Sequence, residues 1–207
     1  MNEVERLRRS FFWGQRHNEK RTAWVAWEYL QLSKKDGGLG MRDLKVFNKA
    51  LLAKQAWRIL NNTQSLMVQT LKSKYFPNSS FMDAKVSPNA SFTWGSILSA
   101  RDVIERGAKK VVGSGTSIDI WRDPWIPSLP NFRVLPRQGI PSEAPRLASE
   151  LMHDGKWNSE VLSIHFSTWE VDAISRIPVA NYACEDRWSW HYTRHGDLSV
   201  RSAYHLE

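Results

Sequence analysis

Residues 43–60 read DLKVFNKALLAKQAWRIL, and this stretch decides the fold class of the 207-residue chain. Its apolar side chains recur at helical spacing on nearly every side of an ideal helix, which indicates a long helix inside a core. Asp43 is a typical N-cap residue and is predicted to open this helix. Arg42, Lys45 and Lys49 fall within about 60° of one another around the helix axis, so they predict a narrow basic ridge. The ridge fits contact with a polyanion backbone and an ordinary solvated face equally well.

Shorter helices are predicted on both sides of this one. Trp24, Trp27 and Leu30 have helical spacing and predict a short helix with one aromatic face, a pattern that favours packing over base stacking. The run KKDGGLG at 34–40 is turn chemistry, because its glycines supply the positive φ that tight turns need. Ser65 and Ser91 are predicted to cap two further helices, the second running to residue 107.

Beyond residue 108 the spacing of apolar residues changes from that of helices to that of strands. Residues 109–112 and 116–121 flank Gly113-Ser114-Gly115 and predict a first hairpin, and residues 187–200 predict a second that turns at His195-Gly196. Between them, residues 146–157 are predicted to be helical, and two more helices are predicted to follow with Asn158 as one cap and a Ser167–Glu170 capping box on the other.

Proline marks the division of the chain. Six of the nine prolines fall between residues 124 and 145, where they predict an extended linker. We therefore predict a mainly α fold with two small β-hairpins, in three parts. These are a basic helical region at 1–123, a Pro-rich linker at 124–146, and a small helical region with a terminal hairpin at 147–207.

Positive charge is concentrated in the first half of the chain. The net charge is +8, but residues 1–110 hold 20 basic and 9 acidic residues, whereas residues 111–207 hold 9 basic and 12 acidic residues. Because affinity for a polyanion grows with the number of phosphates neutralised, this asymmetry indicates nucleic-acid contact, although solubility alone also explains a basic composition. No apolar stretch approaches the length of a membrane span, and the single cysteine excludes an intrachain disulfide. We expect an intracellular protein, in the nucleus rather than the mitochondrion.

The sequence carries none of the common catalytic patterns. It has no G-x-S-x-G, Walker loop or H-E-x-x-H motif, and no two aspartates are adjacent. Cys184, His191 and His195 have a metal-like order, but on an ideal strand the two histidines stand about 13 Å apart, too far for one ion. We therefore expect no metal, no cofactor and no catalysis by this polypeptide.

Several motifs in order resemble the plant-type LINE (non-LTR retrotransposon) reverse transcriptases, in the region downstream of the polymerase palm. The motifs are FFWG (11–14), WVAWEYL (24–30), KKDGGLGMRDL (34–44), FNKALLAKQAWRIL (47–60), KSKYFPNSSF (72–81) and VGSGTSIDIWRDPWIP (112–127). A later pattern resembles the stretch that leads into the zinc-binding and RNase H regions of those proteins: Trp157, Asp186, Trp188, Trp190, His195-Gly196 and SVRSAYHL (199–206).

The resemblance implies a thumb-like and connecting region that grips a template and primer, with the missing palm on a longer polypeptide as a further partner. The family's Y-x-D-D motif, zinc cluster and RNase H carboxylates have no counterpart here, so neither activity is carried over. The alternative is a decayed retrotransposon remnant with no present activity. From charge and placement, we predict that the residues contacting RNA or an RNA/DNA template-primer are Arg16, Lys20, Arg21, Lys34, Lys35, Arg42, Lys45 and Lys49.

Overall fold

The structure is a computed structural model that describes residues 2–15, 21–135, 143–179 and 184–207. Its α-helices are α1 (Asn2–Phe12), α2 (Trp27–Gln31), α3 (Leu44–Asn61), α4 (Leu66–Tyr75), α5 (Phe92–Ser99), α6 (Arg101–Gly107), α7 (Ser159–His165), α8 (Thr168–Ser175) and α9 (Val200–Tyr204). Its strands are β1 (Ala108–Val111), β2 (Met152–His153), β3 (Lys156–Trp157) and β4 (Arg187–Trp190). Short 3-10 helices cover Lys34–Asp36, Pro130–Phe132 and Ala148–Leu151. The predicted class, mainly α with small antiparallel β elements, is confirmed.

Helix α3 is the centre of the first core. Asp43 caps it as predicted, because its Oδ1 accepts hydrogen bonds from the backbone N–H groups of Lys45 at 2.7 Å and Val46 at 3.2 Å. Alanines at 50, 53 and 56 are fully buried and have little side-chain bulk, which lets α5, α6 and α9 pack closely against this helix. The predicted caps at Ser65 and Ser91 are also confirmed.

The segment predicted as one helix after Ser91 is two helices. Helix α5 ends at Ser99 and α6 begins at Arg101, because Ala100 between them leaves the helical conformation at ψ 7°. The aromatic face predicted near residue 24 is also shorter than expected. Helix α2 begins at Trp27, which is buried, whereas Trp24 precedes the helix and is 84% exposed.

The two hairpins predicted at 109–121 and 187–200 are both wrong, because the first strand of each pairs with the other and residues 191–199 form no strand. Strand β1 does not pair with residues 116–121; it pairs with β4 in an antiparallel register that joins Ala108 to Trp190 and Val111 to Arg187. A close contact between Gly107 and Trp190 favours the pairing of β1 with β4. A Cβ atom on Gly107 would stand 2.3 Å from the ring of Trp190, so only glycine admits the buried indole there.

A second core forms from the chain between β1 and β4. The Pro-rich stretch contributes to it through buried Trp125, Ile126 and Leu129, which pack with Leu151 and Ile174. The capping residues Asn158, Ser167 and Glu170 act as predicted in this part. The exact division into three parts stays a prediction.

Residues 146–157, predicted as a helix, contain a 3-10 turn and the β2–β3 hairpin instead. The chain reverses at Asp154 and Gly155, whose φ values of 48° and 73° are those of a type I′ turn. In the described ranges, no helix combines the length and apolar character that crossing a membrane requires.

Candidate nucleic-acid interface

Helix α1 lies against the start of α3 and brings its arginines to the same surface. The Arg8 guanidinium donates a 2.8 Å hydrogen bond to the backbone oxygen of Arg42 and stacks 4.7 Å above the ring of Trp27. The Trp27 indole N–H in turn donates to Glu5 Oε1 at 2.6 Å. These contacts use Arg8 and Glu5 to hold α1 against α2 and the residue before the α3 cap, and other α1 side chains, such as those of Arg6 and Arg9, are exposed.

A depression of about 320 Å³ separates α1 from the first turn of α3. Its lining residues are Glu5, Arg6, Arg9, Ser10, Gln15 and Lys45. Arg6 is paired with Glu3 at 3.5 Å and Arg9 with Glu28 at 3.4 Å, but these ion pairs are exposed. An exposed pair contributes about 0 to 1 kcal/mol, so an incoming phosphate can replace the carboxylate at little cost.

Lys45 is the strongest candidate in the depression. It is exposed, and within the described ranges its ammonium group makes no ion pair with a carboxylate. Its charge is therefore available to a polyanion.

A larger groove of about 690 Å³ runs between α3, α9 and the loop before α3. We name it the α3–α9 groove. Its lining residues are Gln31, Ser33, Gly40, Met41, Arg42, Phe47, Leu51, Val200, Arg201, Tyr204 and His205. The carboxylate side chains of the described residues take no part in this lining, whereas Arg42, Arg201 and His205 do and are exposed. The groove therefore combines apolar surface with positive charge.

Lys34 and Lys35 directly follow a residue that lines this groove. They form the 3-10 helix that follows the groove residue Ser33, and Gly37 ends that helix with a φ of 84°, as its turn chemistry predicts. Both lysines are exposed, and neither is paired with a carboxylate in the part of the chain that the structure describes.

Lys49, by contrast, has its charge paired within the chain. Its Nζ lies 2.6 Å from Asp102 Oδ2 and 2.7 Å from Glu207 Oε2. Arg106 joins the same cluster through both of these carboxylates. A phosphate at Lys49 would have to displace two existing partners. Of the predicted ridge, Arg42 and Lys45 are therefore free for a phosphate and Lys49 is not.

The structure brings together only part of the predicted set. Arg42 and Lys45 lie at the junction of the depression and the groove, with Lys34 and Lys35 beside the groove. Arg21 is exposed after α1, and its backbone oxygen accepts a hydrogen bond from Gln15. Arg16 and Lys20 lie outside the described residues.

Three arginines and one histidine on this surface are absent from the predicted set: Arg6, Arg9, Arg201 and His205. The basic run at 6–21 includes Arg6 and Arg9 and could have indicated both. Nothing in the local sequence indicates the other two, because α9 reaches α3 only through tertiary packing across about 150 residues.

The glycine loop after β1 is already occupied by a carboxylate of the chain. Asp186 accepts hydrogen bonds from the backbone N–H groups of Gly113 at 2.7 Å and Gly115 at 2.8 Å, and from the N–H and hydroxyl of Ser117. Burial acts to raise the pKa of Asp186, but these donors outweigh it and leave the pKa below its ordinary value. The loop therefore binds an anion as a structural joint between β1 and β4.

His191, one of the two histidines of the metal-like order, makes its contacts with Phe132 and Lys109. His191 packs on Phe132 with ring centroids 4.9 Å apart, and its Nδ1 lies 3.3 Å from Lys109 Nζ. Burial, followed by the positive charge of Lys109, lowers the pKa of His191, and burial lowers that of Lys109. In the described part of the chain, histidine, cysteine and acidic side chains form no group of three suited to a metal ion.

Two plant proteins are similar to this chain. One, named "Putative ribonuclease H protein At1g65750" from Arabidopsis thaliana, is 31% identical over 213 residues; the match covers 100% of this chain and 34% of that protein. The chain thus spans about a third of that relative's length. No protein-family model and no solved structure matches the chain.

The other relative, also from Arabidopsis thaliana, is 44% identical over 117 residues, which are 56% of this chain and 76% of that protein. Such identity over three quarters of the relative shows common descent. The chain therefore belongs to the family of the Arabidopsis protein named "Uncharacterized mitochondrial protein AtMg00310".

Proposed function

We propose that this chain binds nucleic acid, with the surface formed by α1, the start of α3 and the 3-10 helix at 34–36 as its contact to the phosphate backbone. The observation that carries the proposal is the group of exposed cations, Lys34, Lys35, Arg42 and Lys45, which are not paired with carboxylates among the described residues. Lysine and arginine side chains with this freedom release counterions from a polyanion when they bind it.

The nucleic acid proposed is RNA or an RNA/DNA template-primer. The resemblance to LINE reverse transcriptases downstream of the palm supports this choice, and so does the relative whose name describes a ribonuclease H protein. In this proposal the chain corresponds to the thumb-like and connecting region of such a protein. It positions nucleic acid and performs no chemistry itself.

The test is a salt titration of binding by the purified chain to RNA and to a primer-template duplex. Lys34→Glu, Lys35→Glu and Lys45→Glu are combined in one variant. The control variant combines Lys72→Glu, Lys74→Glu and Lys85→Glu, three exposed lysines outside the depression and the groove, so that both variants change the net charge equally.

We expect the wild-type affinity to fall steeply with salt. Loss of three phosphate contacts should reduce the slope of log affinity against log salt by about 2.7 for duplex, since each contact contributes about 0.9. The control variant should keep most of the slope. Undetectable binding at low salt, or equal losses in both variants, would refute the proposal and favour the decayed remnant.

The absence of catalysis is tested with the same protein. We expect no primer extension and no cleavage of an RNA–DNA hybrid when Mg²⁺ or Mn²⁺ is added, because the sequence has no adjacent aspartates and no Y-x-D-D motif. Either activity, if it persisted through purification, would show that the chain is an enzyme. A nuclear location stays a prediction, which imaging of the tagged protein in plant cells would test.

A further inference from the structure

We propose that the α3–α9 groove holds an unpaired base of single-stranded nucleic acid, while the cations around it hold the adjoining phosphates. This inference rests on the proposed function and adds a preference for single strands. It also gives α9, near the end of the sequence, a role together with the basic first half of the chain.

The size and lining of the groove suit a base. Its volume of about 690 Å³ falls in the range of about 300 to 1,000 Å³ that is usual for small-molecule sites. Met41, Leu51 and Val200 supply apolar surface, and Phe47 and Tyr204 supply aromatic rings. Base–aromatic stacking contributes about 1 to 3 kcal/mol per base in single-strand binding proteins and requires a base whose faces are free.

The charges around the groove are complementary to a nucleotide. Arg42 lies over the Phe47 ring, with its guanidinium carbon 4.9 Å from the ring centroid, so a cation and an aromatic ring already interact there. Arg201 is exposed on α9, and neither arginine forms an ion pair with a carboxylate in the described ranges. Asp43 is the acidic residue next to Arg42 in the chain, and its Oδ1 is engaged by the two backbone N–H groups that it caps.

The position of the groove favours a strand over an isolated nucleotide. Arg42 lines the groove and Lys45 lines the depression, and they are separated by three positions at the start of α3. Lys34 and Lys35 directly follow Ser33, which also lines the groove. A base in the groove would therefore have several cations next to it for the adjoining phosphates. A paired base in a duplex presents only its edges and cannot enter in this way.

The main test replaces an apolar groove residue by an acidic one. Leu51 is 42% exposed, so Leu51→Glu changes the groove without burying a charge in the core. Leu66→Glu is the matched control, because Leu66 is 79% exposed on α4 and takes no part in the groove lining. The probes are a 12-nucleotide RNA containing one 2-aminopurine, whose fluorescence falls on stacking, and a 12-base-pair duplex of the same sequence.

We expect wild-type protein to quench the 2-aminopurine and to bind the single strand. Leu51→Glu should abolish quenching and weaken single-strand binding at least tenfold more than Leu66→Glu does, while the two variants bind the duplex equally. Arg201→Gln is the second variant and stays informative if Leu51→Glu does not fold. It should weaken single-strand binding several-fold, and Arg201→Lys should restore most of it.

Three results would overturn the inference. Quenching that persists in Leu51→Glu would place the base elsewhere, and equal losses for duplex and single strand would leave only backbone binding, with the proposed function intact. Competition by poly-glutamate that depends on Leu51 would assign the groove to an acidic polypeptide. Failure of the proposed function is distinguishable from all three, because wild-type protein would then bind neither RNA probe at low salt.

Discussion

Lys45 and Lys49 allow a sharp test of which cations bind nucleic acid. They are one helical turn apart on the same face of α3, so they have nearly the same backbone surroundings. Lys45 is free of carboxylate partners among the described residues, whereas Lys49 lies within 2.7 Å of both Asp102 and Glu207. Lys45→Ala should therefore remove one phosphate contact, and Lys49→Ala should remove none.

The expected size follows from counterion release. One lost contact reduces the slope of log affinity against log salt by about 0.9 on duplex and about 0.7 on single strands. Between about 50 and about 200 mM salt, the ratio of wild-type to Lys45→Ala affinity for duplex should therefore shrink by a factor of about 3.5. Lys49→Ala should leave the slope unchanged and lower the free energy of unfolding by about 1 kcal/mol, the scale of a partly exposed ion pair.

Fluorescence anisotropy at five or more salt concentrations measures the slopes, and chemical denaturation measures the free energy of unfolding. Both variants lose one positive charge, so the net charge of the chain is matched. If they reduced the slope equally, net charge would govern binding, and the distinction between free and paired cations would be wrong. If only Lys49→Ala reduced it, the ion-pair cluster would have to open for nucleic acid.

Three further predictions concern stability, two at the contacts that join β1 to β4 and one on helix α5. Asp186→Ala should lower the free energy of unfolding by about 1 to 3 kcal/mol, because buried donors lose a charged acceptor. Since the folded pKa of Asp186 is lowered, its contribution is present above its ordinary pKa of 3.8 and is lost as pH falls through the folded pKa, so the difference from wild type should shrink in acid denaturation series. Gly107→Ala should destabilise by about 1 to 3 kcal/mol, since the new Cβ would overlap buried Trp190, as thermal melts would show. Gly95→Ala meets no atom within 4 Å on helix α5 and should instead raise the free energy of unfolding by about 0.5 to 1 kcal/mol; a loss there would contradict the helix assignment.

Local chemistry explains which parts of the fold could be predicted. An N-cap such as Asp43 or Ser91 acts on N–H groups two or three residues away, so the sequence contains the whole interaction. Strand pairing is different. Strand β1 is followed by a glycine loop that looks like a hairpin turn, but Asp186 binds the N–H groups of that loop from far along the chain. The partner of β1 thus depends on contacts that periodicity does not report.

The helix predicted at 146–157 leaves one local signal unused. Asp154-Gly155 is a strong hairpin dipeptide, but the apolar residues around it also fit a helical period. Ala148 and Leu151, both fully buried before the turn, explain the ambiguity, since their spacing of three positions fits a helical period. In the candidate site the same limit applies to Arg201, which reaches the groove only because α9 packs on α3.

The fold also explains why net charge alone overstates the number of cations that are available to a polyanion. Several cations of the first half have structural partners: Lys49 is paired in the cluster with Arg106, Lys110 lies 2.7 Å from Asp123, and Arg101 donates to the backbone oxygens of residues 81, 82 and 84. These groups stabilise the packing of α3, α6 and β1, and a phosphate could use them only by breaking it.

The cations on α1 are intermediate between the free lysines and the cations that stabilise the packing. Arg6 and Arg9 have partners, but their ion pairs are exposed, with Arg6 itself 73% exposed, so each contributes about 1 kcal/mol or less. Exchange of such a carboxylate for a phosphate leaves the packing of α1 intact, because Arg8 and Glu5 hold it through Trp27. The α1 arginines can therefore join the free lysines when a polyanion is present, and binding would release Glu3 and Glu28 without unfolding any element.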